Sequence, residues 1–176
     1  TTSLSPGDTV TCTATTTDNT DTVSDSVDVL IDNTPPQITD VTITPDPAYN
    51  SDTLTCTATA TDADGDPTTE SYEWSNGSTV IGTGASITLD ATLAIPNDTI
   101  TCTATTTDIN GGSATSSATR AISNRNPAFS SIAITPSTGV QVGSTLTCAA
   151  VGTDDDQDTV STQYAWSSNG TPIGSG

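Results

Sequence analysis

The sequence predicts an all-β protein built of tandem sandwich repeats of about 91 residues. Three observations carry that reading. One segment recurs four times, as Asp8–Asp18 (DTVTCTATTTD), Asp52–Asp62 (DTLTCTATATD), Asp98–Asp108 (DTITCTATTTD) and Ser144–Asp154 (STLTCAAVGTD). Each copy alternates: Leu54, Cys56, Ala58 and Ala60 fall on one side and threonines on the other. Period two is the signature of a half-buried strand, and β-branched Thr suits its solvent face. Each copy also carries one cysteine, at positions 12, 56, 102 and 148.

The cysteine spacing of 44–46 residues nests inside a longer period of 90–92. Ile31–Pro45 (IDNTPPQITDVTITP) matches Ile122–Pro136 (ISNRNPAFSSIAITP), and Tyr72–Ser75 matches Tyr164–Ser167. VIGTG at 80–84 resembles PIGSG at 172–176. The longer period is the unit. It divides the chain into 1–33, the C-terminal half of a repeat (strands F and G); 34–124, a complete repeat; and 125–176, an N-terminal half (strands A to C/D). After the Pro35-Pro36 linker the complete unit is expected to hold strands at Ile38–Thr44, Thr53–Thr61, Tyr72–Ser75, Ser86–Leu89, Thr99–Thr107 and Ser113–Ile122. Pro, Gly, Asn and Asp punctuate the gaps. About seven short strands in about 90 residues, ordered Cys, Trp, Cys, is the pattern of an immunoglobulin-like sandwich. In that reading Cys56 lies on strand B, Trp74 on strand C and Cys102 on strand F. Cys56 and Cys102 then bridge the two sheets with Trp74 packed on the disulfide, and Trp166 takes the same core place in the last half.

Composition narrows the function. Leu, Ile, Val and Phe make up only about 16% of the chain and the net charge is −19, values at which disorder is the default expectation. The sustained alternation and the regular cysteines argue for a folded chain stapled by disulfides. Only Arg120 and Arg125 are basic, and there is no Lys, His or Met. Such a surface repels nucleic acid and anionic membrane. It suits divalent cations, solubility or spacing between chains. No run of about 20 apolar residues is present to cross a membrane, and no signal-peptide pattern occurs.

With its run ITPDPAYNSDTLTCTATATDADGD…YEW…DTITCTAT, the chain resembles tandem Ig-like repeats of very large bacterial cell-surface proteins. The resemblance covers the whole chain and is specific at the Cys/Trp skeleton and the Asp-Ala-Asp-Gly-Asp loop. It implies an extracellular stalk, fibre or adhesin repeat and names no ligand. The last acidic loop, Asp154-Asp155-Asp156-Gln157-Asp158, departs from it by lacking the glycine.

The half-units leave Cys12 and Cys148 without a partner in their own halves; their partners are expected in adjacent repeat halves. Two arrangements account for this. The chain is a window on a longer continuous protein, or half-units of neighbouring molecules complete each other head to tail, with Cys148 facing Cys12 of the next molecule. A heterologous contact of the second kind builds an open filament. A sandwich completed that way lacks the strand matching Ala85–Asp90, which counts against it.

Asp62-Ala63-Asp64-Gly65-Asp66 is the strongest chemical motif. Carboxylates at alternate positions around a glycine turn place hard oxygens within reach of one Ca²⁺. In the sandwich reading this B–C loop shares an end with Asp108 and Asn110 of the F–G loop and with the linker residues Asp32 and Asn33. An ion there stiffens the hinge between repeats; the alternative is a plain polar turn. The 41 threonines suit both β-propensity and O-glycan attachment. Asn76, Asn97 and Asn169 head N-glycan sequons, although Asn-Gly is also a hairpin turn, which is the favoured reading. Arg120 and Arg125 are expected to pair with local carboxylates. No His, Lys, phosphate loop or zinc spacing supports catalysis.

Two functions follow from the residues. The first is a structural repeat of an extracellular bacterial fibre, filament or surface stalk, partnered by copies of itself or by flanking repeats, with covalent glycans. The second is an adhesive repeat presenting a surface for carbohydrate or protein, which exposed loop aromatics would favour.

Overall fold

The computed structural model describes residues 3–175. Thr1, Thr2 and Gly176, the outermost residues of the two half-units, lie outside the described residues, so the match of Gly176 to Gly84 does too. The chain is all-β, with no helix among the described residues. Its strands are β1 (Thr9–Thr17), β2 (Thr22–Leu30), β3 (Gln37–Thr44), β4 (Thr53–Thr61), β5 (Thr68–Asn76), β6 (Thr79–Thr83), β7 (Ser86–Thr88), β8 (Thr99–Asp108), β9 (Ser113–Ala121), β10 (Ala128–Thr135), β11 (Thr147–Thr153), β12 (Ala165–Ser168) and β13 (Thr171–Ser175).

The chain forms two compact units. The first holds β1 to β6 and β8, with most of β7 and β9. Here β3-β4-β7 make a three-stranded sheet and β6-β5-β8-β9 a four-stranded one, consistent with a β-sandwich, while β1 and β2 form a separate antiparallel pair. Alternation places the core. Along β4 and β8 every second residue is buried or half-buried. Leu54, Trp74 and Ile100 are 0% exposed, each contributing roughly 1.5–3 kcal/mol by leaving water. Cys56 of β4 and Cys102 of β8 are joined by a disulfide that ties one sheet to the other. Trp74 lies directly opposite Cys102 in the β5–β8 register and donates from Nε1 to the Gly84 carbonyl at 2.8 Å.

The strands expected in the complete unit form within a residue or two. Two features go further than expected. β5 runs from Thr68 instead of Tyr72, because β8 pairs with it all the way from Thr68↔Asp108 to Asn76↔Ile100. β6, absent from the expected strands although a hairpin turn at Asn76-Gly77 was favoured, is folded back on β5 by the Gly77–Ser78 turn, where Gly77 adopts φ +57°, a conformation that favours glycine.

The second unit holds the segments 47–52 and 88–98 and the chain from Ala121 onward. Ala48, Leu89, Ala94 and Ile122 are buried in it, and Ala48 and Ile122 form a parallel bridge. β10 pairs with β11 in the register of β3 with β4: Ile134↔Cys148 repeats Ile43↔Cys56, and both pairs carry a bulge near their start. β12 pairs with β13 as β5 pairs with β6, with Trp166↔Gly174 for Trp74↔Gly82. Tyr164 Oη accepts from the Ala150 amide at 3.2 Å, as Tyr72 Oη accepts from Ala58 at 3.3 Å.

The Cys56–Cys102 bond closes a loop of 46 residues, worth about 4 kcal/mol in chain entropy. Reducing it is expected to lower unfolding free energy in denaturant by about that amount. Without reductant, a thiol label applied in denaturant should leave the Cys56 and Cys102 peptides unmodified; labelling of either refutes the pairing.

Candidate metal centre

The Asp62–Asp66 loop leaves β4 and enters β5. Gly65 turns it at φ +81°, in the left-handed region open to glycine. Asp62 Oδ1 accepts the amides of Asp64 (2.9 Å) and Asp66 (3.2 Å), which folds the loop over its own first carboxylate. The result is that carboxylate oxygens of Asp62, Asp64 and Asp66 lie within 4.8 Å of one another. Asp64 Oδ2 accepts the Thr34 amide at 2.7 Å, so the linker is bound to the loop. Asn110 Nδ2 donates to Asp66 Oδ2.

Asp62 Oδ2 is buried and has no hydrogen-bond partner. A buried carboxylate oxygen without a donor is costly, and three carboxylates at this spacing add mutual repulsion. Oxygens so arranged fit a hard divalent cation, whereas Asn110, expected as a ligand, presents its Nδ2 donor to Asp66 and to Asn33. Asp62, Asp64 and Asp66 would hold it, and Asn110 borders it. Asp108, expected beside them as a ligand, is otherwise engaged and is not part of the three-carboxylate cluster. It is 6% exposed and accepts from Asn33 Nδ2 (2.9 Å) and from the amides of Asn110 and Gly112 (both 2.8 Å). The Asn33 hydrogen bond, reinforced by the loop amides against the opposing effect of burial, holds its carboxyl below the usual carboxylate range. Gly112 is required there, since a Cβ would overlap Asp108 and Asn33. Asp108 is thus the bracket that fixes Asn33 and the 108–112 loop.

The last acidic loop resolves its charge differently. Asp154 Oδ1 accepts the Asp156 amide at 2.8 Å, the same turn as Asp62 with Asp64. Asp156 is 2% exposed and is met by Arg125, whose amide donates to Oδ2 and whose Nη1 lies 3.1 Å from Oδ1. The guanidinium also donates to Ser51 Oγ at 2.8 Å and stands 4.3 Å over the Tyr49 ring. Asn50 Nδ2 completes the contact on the Asp156 carbonyl at 2.8 Å. Thr34 and Arg125 occupy matching places in the repeat and donate their amides to matching aspartates. Only the second brings a positive charge with it. The sequence anticipated local ion pairs for both arginines, and Arg120 indeed meets Asp46. The linker residue Asn33 was expected at this end of the unit, but the sequence did not reveal that Thr34, Tyr49 and Asn50 would be partners.

The other expected sites fall as follows. Cys12 is exposed and Cys148 partly exposed, and neither is in a disulfide in this chain. Trp74 is in the core; Trp166 is only half-buried. Asn169 and Gly170 form the β12–β13 turn with φ of +50° and +80°, which is hairpin geometry. Asn76 ends β5 half-buried, and Asn97 is exposed with φ +75°. No protein-family model and no curated protein matches the chain.

Arg125→Ala removes the side-chain ion pair of the buried Asp156 carboxylate. The expected cost is about 3 kcal/mol in urea unfolding, much larger than for Arg120→Ala, whose partner Asp46 has a side chain 72% exposed.

Proposed function

We propose that this chain is a structural repeat module of an extracellular bacterial fibre, filament or surface stalk, made of tandem Ig-like sandwiches. The observation that carries the reading is the recurrence of one set of registers: β10–β11 and β12–β13 reproduce β3–β4 and β5–β6 pair for pair. Units that repeat in both register and sequence serve length and uniformity better than they serve distinct active sites. The inter-sheet disulfide over Trp74 supports the Ig-like assignment. It also supports an oxidising, extracellular setting. The threonine-lined strand faces are substrates for O-glycan, and exposed Asn97 for N-glycan.

Within this reading Ca²⁺ occupies the Asp62–Asp64–Asp66 site and draws the Asn33–Thr34 linker onto the loop, since Thr34 is already held by Asp64 and Asn33 by Asp108. At the matching place in the next repeat the Arg125 guanidinium supplies the positive charge.

Electron microscopy of native material, before and after chelation, tests the function. Long uniform fibres with a short axial repeat are expected; discrete monomeric particles overturn the fibre reading. For the ion, calcium at about a hundred times its Kd should stabilise chelator-treated protein by about 2.7 kcal/mol. Asp64→Asn keeps an acceptor for Thr34 and should abolish that response. An identical melt with and without calcium in the wild type removes the ion from the reading.

A further inference from the structure

Inside the complete repeat, β5 has two edges, and β8 covers one of them from Thr68 to Asn76. The other is covered only in part. β6 pairs with Glu73–Asn76 and ends at Thr83. At Gly84 (φ +97°) the chain turns away, and the Ala85 carbonyl accepts from the Cys56 amide of β4 in the opposite sheet. The last tie to β5 is the Gly84 amide on the Tyr72 carbonyl, at 2.9 Å. Main-chain groups of alternate strand residues face the same neighbour, so those of Glu70 and Thr68 face this side as well. Among the described residues no strand lies beside them. The bare stretch opens on a notch of about 660 Å³ walled by Glu70, Ser71, Tyr72, Glu73, Thr83 and Gly84, a size within the usual range of ligand sites. All of these residues belong to the first compact unit.

We propose that this edge of β5 is a docking site for a short extended peptide with two adjacent basic residues, added antiparallel in the line that β6 leaves. Its main chain pairs with the free groups of Glu70 and Thr68. The proposal goes beyond the fibre reading and stands without it.

The glutamates set the charge of the partner and its spacing. Both are exposed. Side chains alternate along the strand, so Glu73 and Ser71 lie on the solvent side of β5 and Glu70 on the side of the buried Trp74. A residue added opposite Glu70 shares its face. The next residue shares the face of Glu73, one diagonal away, which a long side chain can span. Two neighbouring basic side chains therefore meet two carboxylates, one on each face. The Glu70 carboxylate is already held for this, because Oε1 accepts from Thr68 Oγ1 at 3.0 Å and from Thr106 Oγ1 at 3.5 Å.

Charge complementarity makes the occupant a different molecule. A second copy carries −19, and both of its arginines are engaged within it, Arg120 on Asp46 and Arg125 on Asp156. It is repelled and brings no free arginine to the notch. The acidic pair is also particular to this repeat: the matching places in the next one hold Thr162 and Ala165, so the carboxylates are not part of the repeated framework. Charge on a bare edge guards it against pairing with further sheets. Here the charge that turns away acidic chains admits a basic one.

The test is titration of the 176-residue chain with an end-capped peptide holding a central Arg-Arg pair between Val and Thr residues, followed by NMR and amide exchange. Saturable binding that weakens as salt rises is expected. The Glu70 amide should pass from fast to slow exchange, while the Ser71 amide, already turned to β8, stays protected throughout. Glu70→Gln combined with Glu73→Gln should weaken binding at least about tenfold and leave the melt unchanged, since both side chains are exposed. Methylating alternate amide nitrogens of the peptide keeps its charge and removes its donors, and should abolish binding. No binding, shifts confined to the Asp62–Asp66 loop, or an unchanged Kd in the double variant would each overturn the site. Equal binding of the methylated peptide or of spermidine overturns it too, because charge alone then suffices. Absence of binding together with self-association of the double variant leaves the glutamates a guarding role only. None of these outcomes touches the fibre reading.

Discussion

The Cys56–Cys102 bond across the two sheets is the constraint on which the first compact unit depends. The chain has few large apolar residues to spend on a core, and in the first unit the fully buried ones lie at that bond: Leu54 beside Cys56 on β4, Ile100 beside Cys102 on β8, Trp74 opposite Cys102. Without the cross-link a core this lean leaves little margin over chain entropy. With it, threonine can line most of both strands at no cost to the fold, because β-branching suits a pleated surface whichever side faces water.

Charge is the second constraint. Two matching acidic loops differ in what meets their buried carboxylates. One loop has Arg125 threaded into it, stacked on Tyr49 and fixed on a carboxylate with no solvent contact. The matching loop has Thr34 in that place, which contributes an amide but no charge, and an orphaned oxygen on Asp62. The proposed ion at the Asp62–Asp66 loop makes that loop answer to its ionic surroundings, whereas the Arg125 pair supplies its own charge.

Much of this was legible in the residues. Period-two alternation around each cysteine located β4, β8 and β11, because a strand with one covered face has only one way to distribute apolar and polar side chains; it also located β1, which is exposed along nearly its whole length. The proximity of the three aspartates was legible because alternate carboxylates around a glycine turn toward one another, although the same residues also make a plain polar turn. What escaped was structure created by a neighbour. Residues 68–71 (TTES) have no apolar period of their own and become strand only because β8 runs beside them. Asp108 reads as one more oxygen ligand, yet amides of its own loop and a linker asparagine claim it. The seat of Arg125 involves residues more than 70 positions earlier, which no local pattern encodes.

The disulfide has a mechanical consequence. In the proposed stalk role the chain is loaded in tension between its ends, and an unfolding sandwich normally extends to its whole contour. Here the chain from Cys56 to Cys102, a sequence separation of 46, is shunted by a covalent bond, withholding about 150 Å of extended chain at roughly 3.3–3.6 Å per residue. Under load the repeat can yield only its flanks, behaving as a short-travel shock absorber that does not run out to full length.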